Sequence, residues 1–432
     1  MEEKKNKDIN KETIKKVFAG ILVTLSFVAV FICGYFSYLF LNVNSTSLTG
    51  SVINLINNQA YLIDPETGEQ KYLTEEEISD LIIDYYFDKY SEYYTLEEYQ
   101  SVSDTAAGNN FGAGLVFYND RPQIYKVVGN SPADRAGMEV GDVINFVEVG
   151  GVKIIAQSGS RLADELNAID GSKQVTFNVT RAGEQKIFSL VRADYTVSYV
   201  TYYDNQTKLS FRADKKSDPL SAVTDDNKKM SALDDKTAYI KLDLFEGDCV
   251  KQMKQALDFM KSRGREKLIL DLRDNGGGSL DYLIEIGAML IYNQGKNNTV
   301  IAYAHRRNGN ETFTTGQNKF YDNLKEISII ANDGTASASE CLIGAMLHYQ
   351  DGFNKDRLII EKNNKGNAVT YGKGIMQTTY WLAKGGALKI TTGKMFWPDD
   401  KTSIHGVGIT TTEQNSVESA NALSRAIACL SE

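Results

Sequence analysis

The chain has 432 residues, enough for two or three domains, each with its own core. With 42% hydrophobic residues, 24% charged residues and five prolines, it is neither a disordered chain, nor a collagen-like repeat, nor a proline-rich linker. Lys plus Arg total 47 against 56 Asp plus Glu, and the net charge of −9 argues against a dedicated nucleic-acid binder.

That charge is laid out unevenly. Residues 1–16 carry six lysines against four acidic residues, residues 17–43 carry no charge, and the remainder has a net charge of −11. The segment from Val17 to Leu41 is 25 residues long and is broken only by Thr24, Ser26 and Ser37. A helix of that length crosses the roughly 30 Å hydrocarbon core of a bilayer. It exceeds the usual h-region of a signal peptide, about 7–15 residues. No A-x-A site follows it, and Ser45 and Ser47 make a weak cleavage site. The expectation is an uncleaved single-pass anchor at 17–41 in the cell membrane. The basic tip 1–16 then stays cytoplasmic and the rest of the chain lies outside. Of four cysteines, Cys33 falls in this segment, and Cys249, Cys341 and Cys429 cannot all pair with one another. With no C-x-x-C present, neither a disulfide framework nor a zinc site is expected.

Residues 42–105 read as a helical region next to the membrane. Ile78, Leu81, Ile82, Tyr85, Tyr86 and Phe87 recur at helical spacing, and an aromatic cluster runs on to Tyr99. Residues 106–195 read as a small β-rich domain, with strands at Gly114–Tyr118, Ile124–Val128, Val143–Val149, Val175–Thr180 and Lys186–Val191. Residues 196–236 are polar and aperiodic, and are expected to form a flexible insertion or a cap. From Thr237 strands and helices alternate. Strands are predicted at Ala238–Leu242, Lys267–Leu272 and Ile327–Ala331, and helices at Cys249–Met260, Leu280–Tyr292 and Ala338–Tyr349. This pattern predicts an α/β domain with a largely parallel but mixed sheet. The fold class is therefore α/β plus β.

Three segments are candidates for chemistry. Asp271-Leu-Arg-Asp-Asn-Gly-Gly-Gly278 follows a buried strand, and its glycines let backbone N–H groups approach an anion. It lacks the Gly-Lys-Ser/Thr of a phosphate-binding P-loop, and alone it reads as a tight turn. Asn332-Asp-Gly-Thr-Ala-Ser-Ala-Ser-Glu340 contains Ser337-x-x-Glu340, which fits a capping box. It also fits a nucleophilic serine at a helix N-terminus, with the Ala338 N–H facing a developing oxyanion. A serine needs a base. Lys373, set between two glycines in Thr370-Tyr-Gly-Lys-Gly-Ile-Met-Gln377, becomes one if burial depresses its pKa, with Gln377 orienting the amine. Alone, Lys373 reads as a surface lysine in a turn. Ser337 and Lys373 lie 36 residues apart, and the stretch Asp351–Asn367 between them holds two competing bases, Lys362 and Lys365.

Taken together, these segments and Ser403-Ile-His-Gly-Val-Gly-Ile409 resemble the C-terminal processing (tail-specific) serine peptidases. So do Tyr90-Ser-Glu-Tyr-Tyr-Thr-Leu-Glu-Glu-Tyr99, Phe111-Gly-Ala-Gly-Leu115 and Ser131-Pro-Ala-Asp-Arg-Ala-Gly-Met138. The resemblance covers nearly everything after residue 75. It implies a PDZ-like domain at 106–195 and a Ser/Lys peptidase domain at 196–432. In that reading Ser337 is the nucleophile, Lys373 the general base and Gln377 its supporting partner. Ala338 and one residue of Gly276–Gly278, with Gly277 preferred, form the oxyanion hole. Phe111, Gly112, Ala113, Gly114 and Leu115 would receive a peptide ending in an apolar residue. The resemblance implies no metal and no cofactor. The implied partners are protein or peptide substrates with apolar C-termini, and the membrane through the anchor. The oligomeric state stays open, a homodimer included. Two rival readings also stay open: an inactive PDZ-bearing adaptor, and a Ser–His–Asp hydrolase using His348 or His405.

Overall fold

The computed structural model describes residues 88–430 apart from 156, 351 and 383–385, together with Lys15, Lys16, Glu77, Asp80, Asp84 and Tyr85. The expected anchor at 17–41 and most of the helical face between Ile78 and Phe87 lie outside the described residues. Among the described residues no helix is long and apolar enough to cross a membrane. The chain falls into two units, Met1–Tyr86 and Phe87–Glu432, and the second holds every strand of the described fold.

The second unit opens with strand β1 (Glu92–Tyr94) and helix α1 (Leu96–Ala106). Thr95 starts α1 with a capping box: its hydroxyl accepts from the Glu98 N–H, and the Glu98 carboxylate accepts from the Thr95 N–H. The β-rich segment follows, with β2 (Asn109–Gly112), β3 (Leu115–Phe117), β4 (Ile124–Val127), helix α2 (Pro132–Ala136), β5 (Val143–Val149) and β6 (Val152–Ile155). It continues through helix α3 (Gly159–Ala168), β7 (Gln174–Arg181), β8 (Glu184–Val191) and β9 (Ala193–Thr196). Helix α2 owes its place to Ser131-Pro-Ala-Asp-Arg-Ala-Gly137. Ser131 caps it, Pro132 fits its first turn, and Gly137 ends it in the left-handed region. These strands form a β6-β5-β7-β8 sheet and the pairs β2-β9 and β3-β4. They close over their own core of Phe117, Ile124, Ile144, Val147, Leu162 and Phe177, among others.

Residues 196–236 depart from the expected flexible insertion. Strands β10 (Val200–Tyr203), β11 (Lys208–Arg212) and β12 (Ser221–Asp225) build the antiparallel side of an eight-stranded sheet. Tyr202 and Phe211 are buried in the main core. The polar composition reflects a position at the sheet's outer edge, where β12 is largely solvated. The chain continues with β13 (Thr237–Leu242), helix α4 (Cys249–Ser262), β14 (Lys267–Asp271), helix α5 (Leu280–Leu290), β15 (Val300–Arg306) and β16 (Gly309–Thr314). Next come β17 (Glu326–Ala331), helix α6 (Ala338–Tyr349), β18 (Leu358–Glu361), β19 (Ile375–Trp381), β20 (Ala387–Phe396), β21 (Ser416–Val417) and helix α7 (Ala422–Cys429).

In the order β12-β11-β10-β13-β14-β17-β18-β21, the pairings from β13 onward are parallel. Leu268 and Leu270 face α4, α5 and α6, while Ile269, Ile330 and Ile359 pack with Ala422 and Ala426 of α7. Cover on both faces explains why β14 and β17 read as unbroken apolar runs. A second sheet, β1-β20-β15-β16 with β19 also on β20, has no counterpart in the sequence reading. Part of the stretch Asp351–Asn367 forms the fully buried strand β18.

Candidate active site

The loops after β14 and β17 leave the carboxyl ends of neighbouring parallel strands, where open α/β sheets place ligands. They are stapled to each other. The Thr335 hydroxyl donates to the Leu272 carbonyl at 2.8 Å, the Asp274 N–H to Asn332 Oδ1 at 2.9 Å, and the Ala336 N–H to the Asn275 carbonyl at 2.9 Å. Asn275 is fully buried and reaches back to the Leu242 carbonyl at 2.8 Å, anchoring the pair to β13. Held in this way, Ser337 enters α6 at φ 58° and ψ −115°. That backbone costs a non-glycine residue about 1–3 kcal/mol, and such strain gathers at functional turns between a strand and a helix.

Glu340, expected from sequence only as half of a capping box, is fully buried and joins the serine loop to the lysine loop. Its Oε2 accepts from the N–H groups of both Ser337 and Lys373, each at 2.9 Å. Its Oε1 accepts from the Gly372 N–H at 2.8 Å and from the Thr370 hydroxyl. Burial pushes its carboxyl above the usual range, and these four bonds pull against that. The lysine loop is also cradled by residues 403–409. The Gly406 N–H donates to the Gly372 carbonyl at 2.9 Å. A Cβ on Gly372, whose φ is 83°, would sit 2.8 Å from the Gly408 nitrogen. The glycine beside Lys373 therefore serves close backbone packing.

Lys373 is partly buried. Its Nζ donates to Gln377 Oε1 at 2.8 Å and stands 4.9 Å from the Tyr90 ring centroid. Gln377 sits on β19 just past a β-bulge, and its Nε2 donates to the Tyr90 carbonyl. Burial, followed by the charge of Lys389, holds the Lys373 amine below its ordinary pKa. Lys389 itself is kept above its ordinary value: burial opposes this, but bonds to Tyr94 (2.7 Å) and Glu92 (3.0 Å) prevail.

A cleft of about 630 Å³ is lined by Ser337, Lys373, Gln377, Lys389, the loop Gly276–Gly278 and Arg306 with Glu311. Leu244, Leu280, Phe313, Cys341, Met376 and Met395 supply its apolar wall. Lys362 lies elsewhere, 3.5 Å from Glu418. Neither Lys365 nor any of His305, His348 and His405 lines the cleft. Phe111–Leu115 also lie away from it, at the end of β2 and the start of β3.

The oxyanion assignment needs one correction. The Gly277 N–H donates to Asn275 Oδ1 at 3.0 Å, because Asn275 turns back on its own loop. The N–H groups of Ala338, Gly276 and Gly278 have no acceptor among the described residues. Gly277 contributes by what it lacks. At φ 100°, a Cβ there would lie 2.8 Å from Ser337 Cβ and 2.9 Å from the Ala338 nitrogen. Gly277→Ala is therefore expected to lower kcat by about 10²-fold or more, in the range of losing an oxyanion donor. Gly276→Ala, whose Cβ meets nothing within 4 Å, should stay within a few-fold of wild type in the same assay.

Residues 236–414 match the model of peptidase family S41. Over 331 residues the chain is 30% identical to a "Probable CtpA-like serine protease" of Staphylococcus aureus strain N315, covering 74% of this chain and 56% of that protein. A Staphylococcus epidermidis protein of the same description is 27% identical over 326 residues, with the same coverage. The chain thus spans little more than half the length of these relatives. Among solved structures, a "Putative S41 protease" from Bacteroides fragilis is similar with a TM-score of 0.49 and 15% identity, over 88% of this chain and 95% of that one. A "Photosystem II D1 C-terminal processing protease" is similar with a TM-score of 0.45 and 20% identity, over 79% of this chain and 82% of that one.

Proposed function

Because residues 236–414 of this chain form a domain of peptidase family S41, we propose that the protein is a membrane-anchored, extracytoplasmic serine endopeptidase that works through a Ser337–Lys373 dyad. One observation carries this reading: a single buried oxygen, Glu340 Oε2, binds the backbone N–H groups of both residues. It ties the backbones of nucleophile and base to one carboxylate oxygen, and both side chains line one cleft.

In this mechanism neutral Lys373 Nζ takes the Ser337 hydroxyl proton as Oγ attacks the scissile carbonyl. The Ala338 N–H, at the positive end of α6, and an N–H of Gly276 or Gly278 stabilise the oxyanion. The Lys373 ammonium passes its proton to the leaving amine. Lys373 then deprotonates water, which hydrolyses the acyl-enzyme and restores both side chains. The apolar wall of the cleft suits an apolar side chain next to the scissile bond.

Substrate choice is assigned to residues 106–195. The N–H groups of Ala113 and Gly114, between β2 and β3, have no acceptor among the described residues, as capture of a chain-terminal carboxylate requires. The test is to incubate the full chain, in detergent, with an unfolded reporter polypeptide ending in three apolar residues. Cleavage is expected, and amidating the terminus or making the tail charged should weaken it. Tail binding without turnover would leave a binding protein in place of a peptidase.

The pH dependence follows from Lys373. Catalysis needs the neutral amine, and the folded site holds its pKa below the ordinary 10.5. The rate should fall as pH drops through that lowered value, so the acid limb of kcat/KM against pH lies below 10.5. Lys389→Met removes the neighbouring charge and should move that limb upward.

A further inference from the structure

The base is steadied from far away in the sequence. The Tyr90 carbonyl that receives Gln377 Nε2 lies 287 residues before it. The Tyr90 ring meets Lys373 Nζ at 4.9 Å from its centroid, and meets Tyr371 edge-on at 6.5 Å. Lys89 Nζ donates to the Tyr371 hydroxyl at 3.2 Å. Two residues on, β1 is laddered to β20 through Glu92↔Lys389, Tyr93↔Leu388 and Tyr94↔Ala387. The same strand supplies the Glu92 and Tyr94 partners of Lys389. The segment ahead of α1 is thus one wall of the dyad.

We propose that Tyr90 is a positioning residue for the general base, its carbonyl fixing Gln377 and its ring facing the ammonium that forms on Lys373. The ring and the amide do different work. Gln377 orients the amine through Oε1, and Gln377 is itself oriented by the Tyr90 carbonyl. An aromatic face attracts a cation more than a neutral amine. It therefore stabilises Lys373 after it has taken the serine proton more than before, which favours the acylation transition state. The other groups facing Lys373 are Tyr371 in its own loop, Lys389 on β20, and Asp88 and Lys89 beside Tyr90. Arg306, Glu311, Glu246 and Asp281 line the same cleft. Burial keeps the Tyr90 phenol protonated, so the ring acts without a charge of its own.

This inference rests on the proposed dyad, and its test has an arm that does not. First, kcat/KM is measured against pH on the reporter polypeptide for wild type, Tyr90→Phe and Tyr90→Leu, using the full chain. Second, Lys373 is titrated by NMR on 13Cε-lysine-labelled protein carrying Ser337→Ala, with and without Tyr90→Leu, its resonance assigned by loss in Lys373→Arg. Tyr90→Leu should move both the acid limb and the Lys373 titration down by about half to one pH unit, with a plateau roughly three- to tenfold lower. Tyr90→Phe keeps the ring and should remain within about twofold of wild type. An unmoved limb and an unmoved titration in Tyr90→Leu would overturn the proposal, and an activity loss that tracks only a lower Tm would do so equally. If wild type cleaves no polypeptide, the dyad reading fails, and the NMR titration still decides the role of Tyr90.

Discussion

Ser337→Ala and Lys373→Ala are each expected to reduce kcat/KM by roughly 10³- to 10⁶-fold, and the double variant by no more than the worse single. In the proposed dyad the two side chains act as one unit: a hydroxyl without its base is a poor nucleophile, and a base without its hydroxyl has nothing to activate. Folding should survive both changes. Ser337→Ala leaves the φ of 58° in place and removes one polar atom, and Lys373→Ala removes a partly buried amine whose charged form the site disfavours. Steady-state kinetics on the reporter polypeptide, with thermal melting as a control, makes the measurement. Lys362→Ala, His348→Ala and His405→Ala should stay near wild type, since none of these residues lines the cleft. Activity that survives Lys373→Ala but disappears with a histidine would replace the dyad by a Ser–His–Asp arrangement.

Glu340→Gln is expected to be the next most damaging change, although the two side chains are nearly isosteric. The carboxylate oxygens receive three backbone N–H groups and one hydroxyl. An amide must place an NH₂ on one side. Toward Ser337 and Lys373 it meets two donors. Toward Gly372 and Thr370 it meets one N–H and a hydroxyl that already accepts from the Ile409 N–H at 2.8 Å. Either way a buried donor faces a donor, at a cost of about 1–3 kcal/mol, and the serine and lysine loops lose their common anchor. The expected result is a drop in kcat of about 10²-fold with KM little changed, because displacements of about 1 Å at a reacting group have effects of that order. A Glu340→Gln enzyme with wild-type kcat would show that the two loops are held in register by something else.

Ser337, Lys373 and Gln377 stood out in the sequence because each sits in a short segment of unusual composition. The alternating strands and helices from Thr237 stood out because strands covered on both faces are continuous apolar runs. The remainder of the site was hidden for identifiable reasons. Glu340 satisfies a local capping rule, and nothing local shows that its carboxylate also reaches the loop at 370–373. Gly277 looks like a free donor until the Asn275 side chain is seen folded onto it. Tyr90 belongs to an aromatic run that reads as packing, and its contact with Gln377 spans 287 residues. Strands β10–β12 were hidden because short, partly solvated strands near a sheet edge carry a weak period-two signal.

Composition, the spacing of short segments and apolar periodicity are local properties. By themselves they determined the charge layout, the order of β13, α4, β14, α5, β17 and α6, and the short segments that hold Ser337 and Lys373. The placing of Ser337 and Lys373 in one cleft, the state of that lysine and the donors left for an oxyanion depend on burial and on bonds between distant segments. Those quantities exist only once β14, β17 and β19 have been brought to one cleft, with Tyr90 against Gln377 and Lys373, and only the tertiary structure decided them.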